Sequence, residues 1–160
     1  MTSLEGTYSL VDYNSDQFEA YMVALGVNYL LRKAGKIAHQ KVTITFLDSD
    51  GNNFDFNSKN DTSDSPAKFH LITKGTVKSS NDIFILNQKN DYKTMDGRKA
   101  TALVTYDKEK NEVSFDESWT DSSNKIRKCS QKWRLKPDDG NLELFLECDN
   151  VLCTRGFERV

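Results

Sequence analysis

The sequence predicts an all-β chain, a ten-stranded antiparallel up-and-down β-barrel carrying one helix–turn–helix lid. Three observations lead there. Apolar and polar residues alternate along most of the 160 residues, the two-residue period of strands that bury one face. Short turns join successive alternating runs, which makes chain neighbours antiparallel. Helical spacing is confined to one stretch near the N-terminus, and a barrel is the arrangement in which many antiparallel strands leave no open sheet edge.

Thr7–Val11 opens the alternating pattern. Asp16 is placed to cap a helix over QFEAYMVALG, where Phe18, Tyr21, Met22 and Leu25 share a face and Gly26 ends the run. A second short helix, NYLLRKAGK, closes at Gly35, so the helical hairpin covers residues 16–36. Lys41–Leu47 follows as a strand with Val42, Ile44 and Phe46 on one side. The tract 48–66 is dominated by Asp, Asn and Ser and lacks the apolar surface to offset its ordering entropy, so it reads as an exposed polar insertion. Within it Phe54 and Phe56 alternate and predict a short strand. Further strands fall at Phe69–Thr73, Asp82–Leu86, Asn90–Lys93, and Lys99–Tyr106 after the turn MDGR. The last four are Glu112–Trp119, Ile126–Leu135, Leu142–Cys148 after PDDG, and Val151–Glu158 after DN.

Composition narrows the function. Hydrophobic residues make up 37% and charged residues 29%, a balance suited to a barrel around a half-polar cavity more than to a solid core. Residues 1–160 read as a single domain, with no linker and no internal repeat. The net charge is −2 from 22 basic and 24 acidic residues, interleaved without a basic stripe, which argues against nucleic acid. No apolar run has the length of a membrane span, and MTSLEGTYSLVDYNSD lacks the form of a signal peptide, so the expected compartment is the cytoplasm. Cys129, Cys148 and Cys153 are odd in number and without C-x-x-C spacing, so reduced thiols are expected rather than disulfides or a zinc site.

His39 and His70 stand alone, with no nucleophile or metal-ligand spacing around them. No enzyme activity, cofactor or metal is therefore expected. A calcium loop over Asp48–Asp55 fails, because Gly51 is fourth rather than sixth and Lys59 stands where the closing glutamate belongs. Asn60-Asp61-Thr62 fits a glycosylation acceptor, which has meaning only in a secreted chain.

GTYSLV with FEAYMVALGVNYLLRK, the turn MDGRKAT, the strand ending in Trp119 and the closing CTRGFERV occur in that order. Over nearly the whole chain they resemble the intracellular lipid-binding proteins, the family of fatty-acid-binding and cellular retinoid-binding proteins. The resemblance implies a calycin, lipocalin-like barrel with an enlarged loop between the second and third strands. It also implies non-covalent binding and transport of a long-chain fatty acid or similar hydrophobic ligand by a monomer. Alternatives are a carrier of a neutral or retinoid-like ligand, or an interaction module using the acidic loop.

Val151, Cys153, Arg155 and Phe157 share a strand face, which the resemblance turns inward. Arg155 would then receive a carboxylate, for which a planar, permanently charged guanidinium is suited. Phe157 stands where the fatty-acid-binding branch has a tyrosine, so one headgroup hydrogen bond is missing or comes from water. The family's second arginine position is open here. Alternation sets Cys129, Gln131, Trp133 and Leu135 on one face and favours Gln131, then Trp133, while an ungapped count from Trp119 selects Lys128. Val113, Phe115, Glu117 and Trp119 share another face that the resemblance turns inward. There Glu117 would pair with Arg155 or sit in cavity water. The lid would turn Phe18, Tyr21, Met22, Leu25 and Leu30 toward the ligand, with Arg32 and Lys33 facing solvent or an acidic membrane surface during transfer.

Overall fold

A computed structural model describes residues 3–57 and 65–160. Along the chain these form β1 (Gly6–Asp12), α1 (Ser15–Leu25), α2 (Tyr29–Ile37), β2 (Gln40–Leu47), β3 (Lys68–Gly75) and β4 (Ser79–Ile85). There follow β5 (Lys89–Lys93), β6 (Lys99–Asp107), β7 (Glu112–Thr120), β8 (Ile126–Leu135), β9 (Leu142–Cys148) and β10 (Val151–Arg159). All ten strands belong to one sheet in the order β4-β3-β2-β1-β10-β9-β8-β7-β6-β5, and each ladder is antiparallel. Pairing of the first strand with the last rolls the sheet into a barrel.

Closure is nearly complete rather than complete. β4 and β5 end the strand order and share no ladder. Across that seam the Asn90 carboxamide accepts from Ile85 N at 2.8 Å and donates to Ile85 O at 2.9 Å. One side chain there does part of what a backbone ladder does elsewhere.

The inward set follows the alternation. Ala100, Ala102 and Val104 of β6, Leu142, Leu144 and Leu146 of β9, and Cys153, Arg155 and Phe157 of β10 are all buried. Turn residues tolerate the left-handed region where needed: Asp149 and Asn150, both at positive φ, make the two-residue connection between β9 and β10.

The hairpin of helices differs in detail from expectation. α1 begins at Ser15, after an Asn14 in the left-handed conformation that makes no side-chain cap, so Asp16 lies in the first turn instead of capping it. Gly26 does end α1, at φ 82°. α2 continues to Ile37, and Gly35 lies inside it. A Cβ at Gly35 would come within 3.0 Å of Met22 Sδ, so this glycine serves the close approach of α2 to α1.

Two expectations about loops and thiols are corrected. Cys129 and Cys148 are disulfide-bonded, because the β8–β9 register sets them directly opposite each other with Cα atoms 4.5 Å apart. Cys153 alone is free, and it is buried. The insertion is not purely an exposed excursion. It forms an isolated bridge, Leu47 to Asn53, rather than a strand. Phe54 N donates to Phe46 O at 2.9 Å. The Phe56 ring then stands edge-on to Phe46 at 5.5 Å and to Phe54 at 4.8 Å. Burial of aromatic surface at the end of β2 remote from the helices turns these residues back onto the barrel. The 58–64 portion of the tract, with the glycosylation acceptor at Asn60, lies outside the described residues.

Candidate functional site

Between the helical hairpin and the inner sheet face lies a cavity of about 230 Å³. Phe18, Tyr21 and Met22 of α1 line its roof, as the sequence predicts. α2 contributes Leu31 instead of Leu30, which is 78% exposed. The packed face of α2 carries Leu31 and Gly35, one helical turn apart, and this rotates Leu30 and Ile37 outward. Lys33 faces solvent, whereas Arg32 folds back to donate from Nη1 to Val27 O at 2.7 Å.

Arg155 lies on the cavity wall and is 1% exposed. Its Nε donates to Tyr13 O at 3.0 Å, and its guanidinium carbon sits 3.9 Å from the centre of the Phe18 ring. Nη2 is buried without a hydrogen-bond partner. Burial lowers the pKa of Arg155 and outweighs the opposing effects of Cys153, Tyr13 and Asp12. A guanidinium still keeps its proton at neutral pH. The site therefore holds a desolvated cation, stacked on an aromatic face, with donor capacity to spare.

Glu117 is inward and 3% exposed and lines the cavity, but it does not pair with Arg155. It is bound to Arg98, whose Nη1 donates to Oε1 at 2.9 Å, and it also accepts from the Tyr92 hydroxyl. Gln131 Nε2 lies 3.4 Å from its other oxygen. Arg98 in turn holds Asp96 in a fork, Nε to Oδ2 at 2.6 Å and Nη2 to Oδ1 at 3.0 Å, and lies 4.3 Å over the Trp119 ring. Burial opposes ionisation of Asp96, yet hydrogen bonds and charge from Arg98 outweigh it and lower that pKa. Burial likewise works against the Arg98 charge, and Asp96 with Glu117 reverses this to a raised pKa. Burial and the Glu117 charge push the Tyr92 hydroxyl upward.

The two cavity arginines thus differ in kind. Arg98 already holds two carboxylates, while Arg155 makes no ion pair among the described residues.

On β8, Gln131 and Trp133 line the cavity while Lys128 is exposed on the outer face opposite Ser118. The structure decides between the counts: Gln131 and Trp133 face inward, Lys128 does not. Trp133 is 4% exposed and its Nε1 is buried without a partner. Phe157 is inward and fully buried, but it packs on the Trp133 ring at 5.8 Å and does not line the cavity.

Sequence reasoning missed Asp96, Arg98, Tyr92 and the Tyr13 carbonyl. The MDGR turn carried a usable signal, an acidic and a basic residue two apart beside a wall strand. The backbone of Tyr13 carried none.

No protein-family model matches the chain. Fatty acid-binding protein 5 of Rattus norvegicus is 31% identical over 160 residues, covering 100% of this chain and 97% of the relative. Cellular retinoic acid-binding protein 1 of Takifugu rubripes is 27% identical over 169 residues, 99% of each chain. A solved structure of the REP1-NXSQ fatty acid transporter superposes with a TM-score of 0.72 at 25% identity, over 98% of this chain and 96% of that one. Full-length similarity, the near-closed ten-stranded barrel and the two helices between β1 and β2 agree: the chain belongs to the intracellular lipid-binding proteins, a cytoplasmic family of fatty-acid- and retinoid-binding barrels that bind ligands without catalysis.

Proposed function

We propose that this chain binds a long-chain fatty acid non-covalently in the barrel, its carboxylate on Arg155, and carries it through the cytoplasm as a monomer. The observation behind this reading is the buried Arg155 guanidinium, which has no carboxylate partner among the described residues in a mostly apolar cavity. A buried cation is costly unless an anion meets it. Arg98 is a poor competitor for the headgroup, because a ligand would have to displace Asp96 or Glu117 from it. The relatives named for fatty acid and for retinoic acid both point to acids.

Burial of about 0.8 kcal/mol per methylene gives a chain of roughly sixteen carbons on the order of ten kcal/mol. Several of these are lost to association and ligand ordering. What remains corresponds to dissociation constants from micromolar to nanomolar, a range in which a carrier both loads and releases. Release at a membrane belongs to the same proposal, since α2 presents Leu30 and Ile37 to solvent beside Lys33. A second reading, a neutral retinoid-like alcohol, is favoured by the Gln131 amide on the cavity wall.

Competition binding separates the two. Delipidated protein carrying a fluorescent fatty acid is titrated with oleate, oleyl alcohol and retinol. Saturable displacement by oleate, with oleyl alcohol and retinol at least about tenfold weaker, is expected from a charge-assisted headgroup contact. No saturable displacement by oleate overturns the fatty-acid reading, and tighter binding of retinol favours the second.

A further inference from the structure

We propose that Thr73, Ser80 and Asp82 on the β3–β4 wall form a second polar subsite of the cavity, which takes a hydroxyl carried along the ligand's chain. The ligand class is then a hydroxylated long-chain acid. The proposal rests on the fatty-acid reading and narrows it. Outside the aromatic and cysteine residues, three polar or charged side chains of the described residues are buried: Glu117, Arg155 and Thr73. All three line the cavity. Glu117 is held by Arg98 and Tyr92, and Arg155 is the headgroup cation of the proposed function. Thr73 is left over. It is 5% exposed, and its hydroxyl has no hydrogen-bond partner among the described residues. A buried hydroxyl is costly to leave unpaired.

Register adds two more polar groups to the same spot. Thr73 pairs with Ser80 across β3–β4, and Asp82, paired with Leu71, is the next inward residue of β4. Both line the cavity, and neither side chain has a hydrogen bond or ion pair among the described residues. Burial raises the pKa of Asp82 against the opposing effect of His70. Opposed inward residues of a ladder stand about 5 Å apart and diagonal ones about 7–8 Å, so one small group can meet all three. Arg155 cannot share that group with them. β4 and β10 are four places apart in the strand order, roughly 19 Å along the barrel wall at about 4.8 Å per strand. An acid held by Arg155 therefore leaves this subsite to a second group farther along the ligand.

The chemistry of the wall selects that group. A carboxylate only accepts, while the Thr73 and Ser80 hydroxyls both donate and accept. A ligand hydroxyl matches this set, donating to Asp82 and accepting from Thr73 or Ser80. An ammonium would meet Asp82 but offers no acceptor to the two hydroxyls. An unsubstituted chain leaves all three groups out of water and unpaired. Against a purely apolar wall a ligand hydroxyl would weaken binding, because it would be buried without a partner. The sign of its effect therefore tests the subsite.

The delipidated full chain is titrated with octadecanoate and with its isomers hydroxylated at mid-chain, at three-quarters of its length and at the terminal carbon. At least one isomer is expected to bind about tenfold tighter than octadecanoate. Asp82→Leu and Thr73→Val are expected to remove that advantage while octadecanoate itself binds at least as well as to the parent. Wild-type protein that binds every hydroxylated isomer no better than octadecanoate overturns the proposal, even if the variants fail to fold. So does an advantage that survives in both variants. An amine at the preferred carbon that binds tighter than the hydroxyl overturns the choice of ligand class. If octadecanoate still binds through Arg155 in these cases, the fatty-acid reading survives; if neither it nor any isomer binds, both fall.

Discussion

Replacing Arg155 with methionine should separate the ligand's use of this side chain from the fold's. In the ligand-free protein the arginine makes one hydrogen bond among the described residues, Nε to Tyr13 O at 3.0 Å, and stacks 3.9 Å from the Phe18 ring centre. The first contributes about 1 kcal/mol and the second about 1–2 kcal/mol when desolvated. Against them stands the desolvation of a guanidinium without a counter-ion, of order several kcal/mol. Methionine keeps an apolar stem of similar reach against Phe18 and removes the charge. The ligand-free variant should therefore be at least as stable as the parent. A gain of about 1 kcal/mol would raise Tm by roughly 2–4 °C in a chain of this size. Oleate, which loses a charge-assisted contact of about 1.5–3 kcal/mol, should bind ten- to a hundred-fold more weakly, while oleyl alcohol keeps its affinity. Calorimetric unfolding of delipidated protein and isothermal titration with both ligands read the two effects separately. A fall in Tm with equal losses for acid and alcohol would make Arg155 a structural strut and remove the main support for an acid ligand. Adding Glu117→Gln should not alter this outcome, because Glu117 is bonded to Arg98 and not to Arg155.

Arg98→Met should behave in the opposite way. It leaves Glu117 and Asp96 without their cation, costing about 3–5 kcal/mol in chemical denaturation, part of which Glu117→Gln in the same chain should restore; a neutral single variant would refute the pairing. Phe56→Ala should lower stability by about 1–3 kcal/mol, less than for a fully buried ring, and leave oleate affinity within a few-fold because Phe56 packs at the end of β2 remote from the helices. Loss of affinity without loss of stability would place it in the binding site instead. Acid should weaken the protein through Asp96. Its folded pKa is lowered, so its stabilisation is intact above the ordinary carboxylate value of about 3.9 and disappears as pH falls through the lower folded value. Asp96→Asn should flatten that acid limb of the stability profile, and an unchanged limb would rule the group out.

Much of the barrel was legible because its signals are local. A two-residue period identifies the buried face without knowledge of any partner, and Asp149–Asn150 marks a tight turn by its own backbone tolerance. Inward placement of Arg155 followed the same way, from Val151 and Phe157 on its face, once the resemblance gave that face a direction. The lid was legible in outline, since the helical spacing of Phe18, Tyr21 and Met22 marks one face. One residue of rotation in α2, Leu31 for Leu30, was not, because it depends on where Gly35 lets the helix meet Met22.

Apart from the cap of α1, the departures concern contacts between elements. Alternation put Glu117 on the face of Val113 and Phe115 and the resemblance turned that face inward, but its partner was decided by the packing of Arg98, from the β5–β6 turn, over the Trp119 ring. Cys129 and Cys148 meet only because β8 and β9 pair in one register, and that register also sends Lys128 outward and Trp133 inward. Phe54 and Phe56 fold back because the aromatic end of the barrel lies within reach, which a polar composition averaged over the tract conceals. The sequence by itself determined which face of each strand is buried; which buried charge finds a counter-ion, and that Arg155 finds none among the described residues, was decided by tertiary structure, because pairing depends on distances between residues as far apart in the chain as Arg98 and Glu117.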